Sequence, residues 1–327
     1  MGKKIVSFGI LIALLLVTIL YSAATGSIKV GLIELAQGLI WGGNESVEVV
    51  RDLRLPRLFV AMLAGAALAV SGVLLQAVMR NPLADAGVIG ISSGAGLVSL
   101  LMVTIFPALY FWMPLFSFLG GALACFLVYS LSWRSGLSPL RLILVGVAVN
   151  ATFTGLGQSF NYRGSYAVTS VNQAISSIFT LKTWSDVEIM ALYGGIGLVL
   201  AMLLGSWCNM LVLQDKTAKS LGIPVTKARL IVSAIAVLLA SVATAVGGLI
   251  AFVGLLVPHI ARLFIGSDHK WLLPFSALGG AWLILAADTL GRTLLAPTEI
   301  PASIVMTVIG GPFLIIMLRR SERVHGH

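Results

Sequence analysis

The chain has 327 residues, of which 58% are hydrophobic and only 10% are charged, and its formal net charge is +9. A soluble domain carries about 25% charged residues because its surface faces water. This composition therefore argues against a soluble protein and predicts an all-α polytopic membrane protein. The basic residues are dispersed between apolar runs instead of being gathered on one face, which disfavours nucleic-acid binding.

The apolar runs predict about ten transmembrane helices, since a helix crossing about 30 Å of hydrocarbon needs about 20 residues. Runs of this length lie at 5–24, 58–79, 87–107, 114–132, 141–160, 187–207, 271–290 and 302–318. The run between Arg229 and Arg262 is too long for one span and short for two. We therefore split it at Gly247 and Gly248 into two short or partly re-entrant segments.

The first apolar run bears on orientation. It follows Lys3 and Lys4 and is longer than most signal-peptide cores, so we expect a retained first span. With both termini in the cytoplasm, the segments placed inside hold more Lys and Arg than those placed outside, as the positive-inside rule requires. Residues 1–327 are thus expected to form a single transmembrane domain in the cell membrane.

Several sequence motifs of common chemistry are missing. The sequence holds no G-x-x-x-x-G-K-[ST] loop, so the chain is not expected to bind ATP through a P-loop. It holds no H-E-x-x-H motif either, and no enzymatic activity is predicted. Cys125, Cys208 and His259 are isolated from one another in the sequence, so no metal site is predicted.

The energy source of transport is open at this point. Ion-driven carriers usually bury ionisable residues near the membrane midplane, and the predicted spans hold few of them. Asp288 is the best candidate, but it lies one helical turn before Arg292 and is expected to pair with it. An ion-gradient-driven secondary transporter of a small solute is therefore the alternative to a permease driven by a separate ATPase.

Residues 213–224 follow the sixth predicted span and have a helix-forming start. Gly222 and Pro224 then predict the end of a short helix, with Gly222 in a left-handed conformation. Such a helix either connects two spans or seats in a groove on a cytoplasmic motor protein, and its composition favours neither.

Two arginines, Arg54 and Arg57, lie one helical turn apart beside Pro56, at the predicted outer start of the second span. Arg292 is expected on the same side of the membrane. These side chains either anchor helix ends in the membrane interface or bind carboxylates of an external partner, because the guanidinium fork pairs with a carboxylate through two hydrogen bonds.

Glycine occurs 35 times, and many glycines lie within predicted spans, among them Gly65, Gly72, Gly94 and Gly280. Small residues let membrane helices approach closely, since lipid supplies no hydrophobic drive for helix association. Tight packing of many helices is therefore expected.

Seven short stretches are spread in order along nearly the whole chain: Leu53–Arg57, Gly65–Gln76, Asn81–Gly94, Leu144–Val147, Ala218–Gly222, Phe252–Arg262 and Pro297–Pro301. In these stretches the chain resembles the permeases of binding-protein-dependent ABC importers for iron chelates, haem and cobalamin, the FecCD type. The resemblance implies a type II ABC importer permease. Two such subunits of ten spans each, expected here as a homodimer, would enclose one central path.

The same resemblance implies further partners. Two cytoplasmic ATPases, which would use the ATP, are expected to dock on Asp215, Lys219, Ser220, Leu221 and Gly222. An external substrate-binding lipoprotein is expected to present acidic residues to Arg54, Arg57 and Arg292. The chain itself would bind no cofactor.

The central path implied by the resemblance would be lined by the last span and by the spans that begin at Gly87 and Leu140. Its candidate residues are Gly90, Ser92, Ser93, Gly94 and Leu140. The implied cargo is an iron complex, either haem or a ferric siderophore. The segment Thr180–Asp186 replaces a Trp-x-x-Gly-Ser pattern of many members and looks most like the haem permeases of Gram-positive surface-haem uptake systems, which favours haem.

Overall fold

The computed structural model of the chain describes residues 2–25, 31, 45–132, 139–163, 179–220, 222, 224–296 and 298–325. The helices of this part of the chain are α1 Gly2–Ala24, α2 Val47–Met79, α3 Ile91–Ile105, α4 Met113–Ser132, α5 Pro139–Arg163, α6 Trp184–Leu203, α7 Gly205–Leu211, α8 Asp215–Ser220, α9 Val225–Gly247, α10 Val253–Ile265, α11 His269–Thr293 and α12 Ala302–His325. The described residues form no β-strand. The predicted all-α fold is confirmed.

Among the described residues, six helices are long and apolar enough to cross a membrane: α1, α2, α4 with its preceding 3₁₀ turn, α6, α9 and α11. Shorter apolar helices lie in α3, α5, α10 and α12. These positions match the ten predicted spans along the chain. The two helices left over are short: α7 continues from α6, and α8 occupies the predicted short helix.

The long run between Arg229 and Arg262 is broken where the sequence predicted it. Helix α9 ends at Gly247, and α10 begins at Val253 after a non-helical segment in which Phe252 has a φ of 70°. The buried carboxylate of Asp85, which lies between α2 and α3, accepts hydrogen bonds from the backbone N–H groups of Phe252 and Gly254. It thereby satisfies amide groups at the start of α10 that have no partner within the helix.

Glycines bring three of the most buried helices together. A Cβ on Gly65 of α2 would overlap the carbonyl oxygen of Gly280 on α11, and a Cβ on Gly72 of α2 would overlap that of Gly254 on α10. The helix backbones are therefore in direct contact at both places, as predicted from the small residues.

Arg54, in the first part of α2, and Arg80, directly after α2, mark the two ends of the helix bundle. At one end, called the arginine end, Arg54 of α2 donates a hydrogen bond to the carbonyl oxygen of Ala23 at the end of α1, at 3.0 Å. At the opposite end, Arg80 after α2 donates to the carbonyl oxygen of Leu211, the last residue of α7, at 2.7 Å. Helix α8 begins four residues after Leu211 and so lies near this opposite end.

Candidate functional site

Arg57 is the centre of the charged cluster at the arginine end. Its Nε and Nη2 atoms donate to the two carboxylate oxygens of Asp288 on α11, at 2.9 and 2.8 Å. Its Nη1 atom donates to both oxygens of Glu299, at 2.9 and 3.2 Å. One guanidinium thus holds two carboxylates from different segments, which is the two-point geometry that favours Arg over Lys.

The other two arginines tie α1 to this cluster. Arg292 lies 3.6 Å from Asp288, and its Nη2 atom donates to the hydroxyl of Ser22 at 2.6 Å. Arg54 and Arg57 are both buried. The predicted pairing of Asp288 with Arg292 is therefore incomplete, because the closer partner of Asp288 is Arg57.

The cluster contains three guanidinium groups, of Arg54, Arg57 and Arg292, and two carboxylates, of Asp288 and Glu299. Asp288 is only 2% exposed, whereas the Glu299 side chain is 39% exposed. The described cluster therefore has one more positive than negative charge, and its accessible carboxylate is Glu299.

Glu299 and Thr180 were missed by the sequence reasoning. The hydroxyl of Thr180 donates to Glu299 at 2.7 Å and accepts a hydrogen bond from Arg57 at 3.2 Å. Burial of Glu299 on its own would raise the pKa of its carboxyl. The hydrogen bond from Thr180 and the charges of Arg57 and Arg292 outweigh that effect and hold the pKa below its ordinary value. The signal available in the sequence was the Pro297–Pro301 stretch, to which no role was given.

A second feature is a cavity of about 390 Å³ between α3, α5 and the non-helical segment before α10. Ser92 and Ser93 of α3, two of the residues proposed for the path, line it. The buried hydroxyl of Ser92 has no hydrogen-bond partner among the described residues, whereas that of Ser93 donates to the carbonyl oxygen of Gly90. Ser92 therefore offers a free polar group to whatever enters the cavity.

The remaining predicted path residues lie elsewhere. Gly90 has a φ of 85°, and a Cβ there would press against the backbone of Asn150 on α5. Gly94 faces α4, where a Cβ would crowd the carbonyl oxygen of Gly120. Both glycines thus serve helix contacts beside the cavity. Leu140 lies in the first turn of α5, and its side chain is outside the described residues.

Two polar residues of α5, Asn150 and Thr154, also line the cavity and were missed. They lie four residues apart and so share one face of the helix. Two amide or hydroxyl side chains at this spacing in an apolar span were the available signal. Phe252 lines the cavity as well, and its ring packs against Gly310 of α12.

At the opposite end, the predicted short helix is present as α8, Asp215–Ser220. It contains Lys219 and Ser220, and Gly222 after it has the predicted left-handed backbone with a φ of 80°. A Cβ on Gly222 would have no neighbour within 4 Å, so the conformation and not crowding selects glycine here. Leu221 lies outside the described residues.

The isolated His and Cys side chains show no arrangement for metal binding in the part of the chain that the structure describes. Among the described residues, no three His, Cys, Asp or Glu side chains form a group that could hold a metal ion. His259 packs edge-on against the ring of Phe313, with ring centroids 5.6 Å apart. Cys125 and Cys208 are buried free thiols.

Comparison with known proteins identifies the architecture. The profile of the FecCD transport family matches residues 14–320. The chain belongs to the FecCD transport family. Among its relatives are the heme-iron transport system permease proteins IsdF of Staphylococcus aureus strains MSSA476 and Newman, each 40% identical over 322 residues, which is 98% of this chain and 98% of the relative.

Solved structures agree with the FecCD assignment. A metal-chelate type ABC transporter in an inward-facing conformation aligns with a TM-score of 0.80 and 28% identity, over 97% of this chain and 99% of that chain. PsaBC from Streptococcus pneumoniae in complex with Fab shares the fold, with a TM-score of 0.62 and 16% identity over 88% and 95% of the two chains. The FecCD chain is thus an ABC importer permease with the predicted type II fold, and a transport protein rather than an enzyme.

Proposed function

We propose that this permease moves haem, or a chemically related iron complex, into the cell. The observation that carries the cargo proposal is the similarity to the IsdF haem-iron permeases, at 40% identity over 98% of both chains. The cavity beside Ser92 and Asn150 supports it, because its described lining carries hydroxyl and amide groups but no charge. A lining of this kind can contact a bulky chelate without trapping it.

The subunit would work as a homodimer. The cavity is lined by α3, α5 and the 249–252 segment of one chain, so a second copy would complete a path between two such surfaces. On α5, Leu144, Val147 and Leu156 are all exposed. Helix α12 also has exposed apolar side chains, at Ile304 and Val308. These helices are available for contact with the second copy.

Two ATPase subunits would dock on α8 and on the residues after it, from Asp215 to Gly222. The chain would bind no cofactor, and the partner subunits would use the ATP. Helix α8 lies near the opposite end of the bundle from Arg57. This arrangement supports an orientation with α8 and both termini in the cytoplasm and with the arginine end outside.

An external substrate-binding lipoprotein would dock at the arginine end. The three guanidiniums of Arg54, Arg57 and Arg292 outnumber the carboxylates around them, so the cluster favours an acidic partner. Arg57 and Arg292 would receive carboxylates directly, and Arg54 would hold α1 against the start of α2.

ATP hydrolysis by the assembled complex tests the cargo. The permease is purified with its ATPase and binding protein and placed in nanodiscs. Haem-loaded binding protein should stimulate ATP hydrolysis more than empty binding protein does. Stimulation by a ferric siderophore and not by haem would assign the other cargo. ATP hydrolysis by the pure permease, free of contaminating ATPase, would contradict the proposal that only the partner subunits use ATP.

A further inference from the structure

We propose that Glu299 is an internal substitute for the partner's carboxylate: it occupies Arg57 until an acidic side chain of the external binding protein displaces it. This inference rests on the proposed docking at the arginine end. It adds a competitor inside the permease, and so predicts that removing a negative charge from this chain strengthens the binding of an acidic partner.

The two carboxylates bound to Arg57, of Asp288 and Glu299, differ in their access to solvent. Asp288 takes the Nε and Nη2 side of the guanidinium and is 2% exposed, so an external group cannot reach it. Glu299 takes the Nη1 atom and is 39% exposed. Only the Glu299 position is therefore open to exchange from outside.

Exchanging Glu299 for a carboxylate of the partner costs less free energy than leaving Arg57 without Glu299 until the partner docks. A buried N–H group that lacks an acceptor is costly. Without Glu299 before docking, this cost would fall on the Nη1 atom of Arg57, which would keep only Thr180 as an acceptor, while Asp288 would still pair with Nε and Nη2. Replacing Glu299 by another carboxylate leaves the local charge and the number of hydrogen bonds at Nη1 unchanged. The released Glu299, already half-exposed, returns to water. Arg57 is thus kept paired in both the free and the docked state.

The exchange would also loosen the segment that leads into α12. Glu299 lies in the connection between α11 and α12, and Thr180, which donates to it at 2.7 Å, lies before α6. Ile300, the residue after Glu299, donates its backbone N–H to the carbonyl oxygen of Gly291 at 2.9 Å. Glu299 therefore ties the start of α12 to Arg57 and Thr180, and displacing it would release α12 from both, while Thr180 keeps its own hydrogen bond to Arg57.

Helix α12 reaches the cavity, because Gly310 on α12 packs against the ring of Phe252, which lines the cavity. A change at Glu299 therefore acts on a helix that contacts the cavity wall. Docking at the arginine end and rearrangement beside the cavity share this structural element.

The test is the dissociation constant of the binding protein for permease dimers in nanodiscs. Glu299→Gln keeps the size of the side chain but removes the competing charge, and we expect the dissociation constant to fall about tenfold. Thr180→Val, which weakens the hold on Glu299 without changing the charge, should lower it by a smaller factor. Thermal unfolding of each variant checks that it is folded, and Thr180→Val provides the test if Glu299→Gln is not.

The matched control is Glu188→Gln. Glu188 is an exposed carboxylate of α6, so its loss makes the same change in net charge, and docking should be almost unaffected. If Glu188→Gln lowered the dissociation constant as much as Glu299→Gln does, the effect would come from net charge alone, and the proposal would be overturned. Unchanged or weaker docking of both Glu299→Gln and Thr180→Val, while Arg57→Glu abolishes docking, would also overturn it and leave the docking site standing. Docking that survives Arg57→Glu and Arg292→Glu would instead remove the proposed site itself.

Discussion

Arg57 and Asp288 are 231 residues apart in the sequence, yet they form a two-point salt bridge at 2.8 and 2.9 Å between α2 and α11. The same helices are in backbone contact at Gly65 and Gly280. The pair therefore fixes the rotation of two tightly packed spans where they reach the arginine end. Arg57 consequently belongs both to the fold and to the proposed docking surface.

Asp288→Asn should destabilise the permease strongly. Removing Asp288 leaves Glu299 as the one described carboxylate beside three guanidinium groups, and breaking a buried ion pair costs about 3–5 kcal/mol. Thermal unfolding in detergent measures the loss. The control is Asp52→Asn, since the Arg51–Asp52 pair is more than half exposed on both sides and exposed pairs contribute about 0–1 kcal/mol. Equal losses of thermal stability in the two variants would show that the buried Asp288 pair stabilises the fold no more than an exposed pair does.

Docking of the binding protein should depend on the shape of the Arg57 side chain as well as its charge. Arg57→Lys keeps the charge but cannot form the guanidinium fork, so docking should weaken. Arg57→Glu and Arg292→Glu should weaken it further, and the association rate of wild type should fall as salt is raised. Binding kinetics across a salt series measure both effects. Wild-type docking by all three variants would mean that these arginines only hold the fold.

Glu299 should make stability depend on pH in one direction. Its pKa is lowered in the folded protein, so its ion pair stabilises the fold above the ordinary Glu pKa of about 4.3. That contribution is lost as the pH falls through the lowered pKa. The difference in unfolding temperature between wild type and Glu299→Gln should therefore be constant from pH 7 to about 5 and vanish in stronger acid. A difference that persists at low pH would show that the charge of Glu299 is not its source.

Helix α8 provides a prediction at the opposite end. Gly222→Ala forces a side chain into a left-handed backbone and should cost about 1 kcal/mol locally. Co-purification of the ATPase should fall as this helix end loosens, and Leu221→Asp should release the ATPase while the membrane dimer stays intact. Normal ATPase recovery from both variants would exclude this segment as the docking element.

The cavity can be tested by filling it. Val147 lines the cavity, so Val147→Trp should block uptake while docking and ATPase binding continue. Val199→Trp makes the same substitution at an exposed position of α6 that does not line the cavity, and should be tolerated better. Uptake assays of both variants in proteoliposomes measure the difference. Equal loss of uptake would mean that the cavity is not the path.

The sequence predicted the spans because membrane thickness sets the length of each apolar run. It also located the break at Gly247, since that run was too long for one helix, and the left-handed Gly222, since Pro224 follows it. These features depend on residues close together in the chain. They need no knowledge of how the helices are arranged.

The charged cluster could not be predicted in the same way. Local spacing assigned Asp288 to Arg292, one helical turn away, whereas the packing of α2 against α11 brings Arg57 closer. Glu299 lies 242 residues from Arg57 in the sequence, and no spacing rule connects them. Asn150 and Thr154 were missed because the way α5 is rotated toward α3 depends on the packed bundle.

Uptake of haem into proteoliposomes most directly tests whether this permease is driven by ATP. The permease is reconstituted with its ATPase and haem-loaded binding protein, ATP is held constant inside, and ionophores collapse the proton and sodium gradients. Haem should still accumulate, and uptake should stop when the ATPase cannot hydrolyse ATP. Uptake that disappears with the ion gradients, or that continues without ATP hydrolysis, would contradict the account and favour an ion-driven carrier.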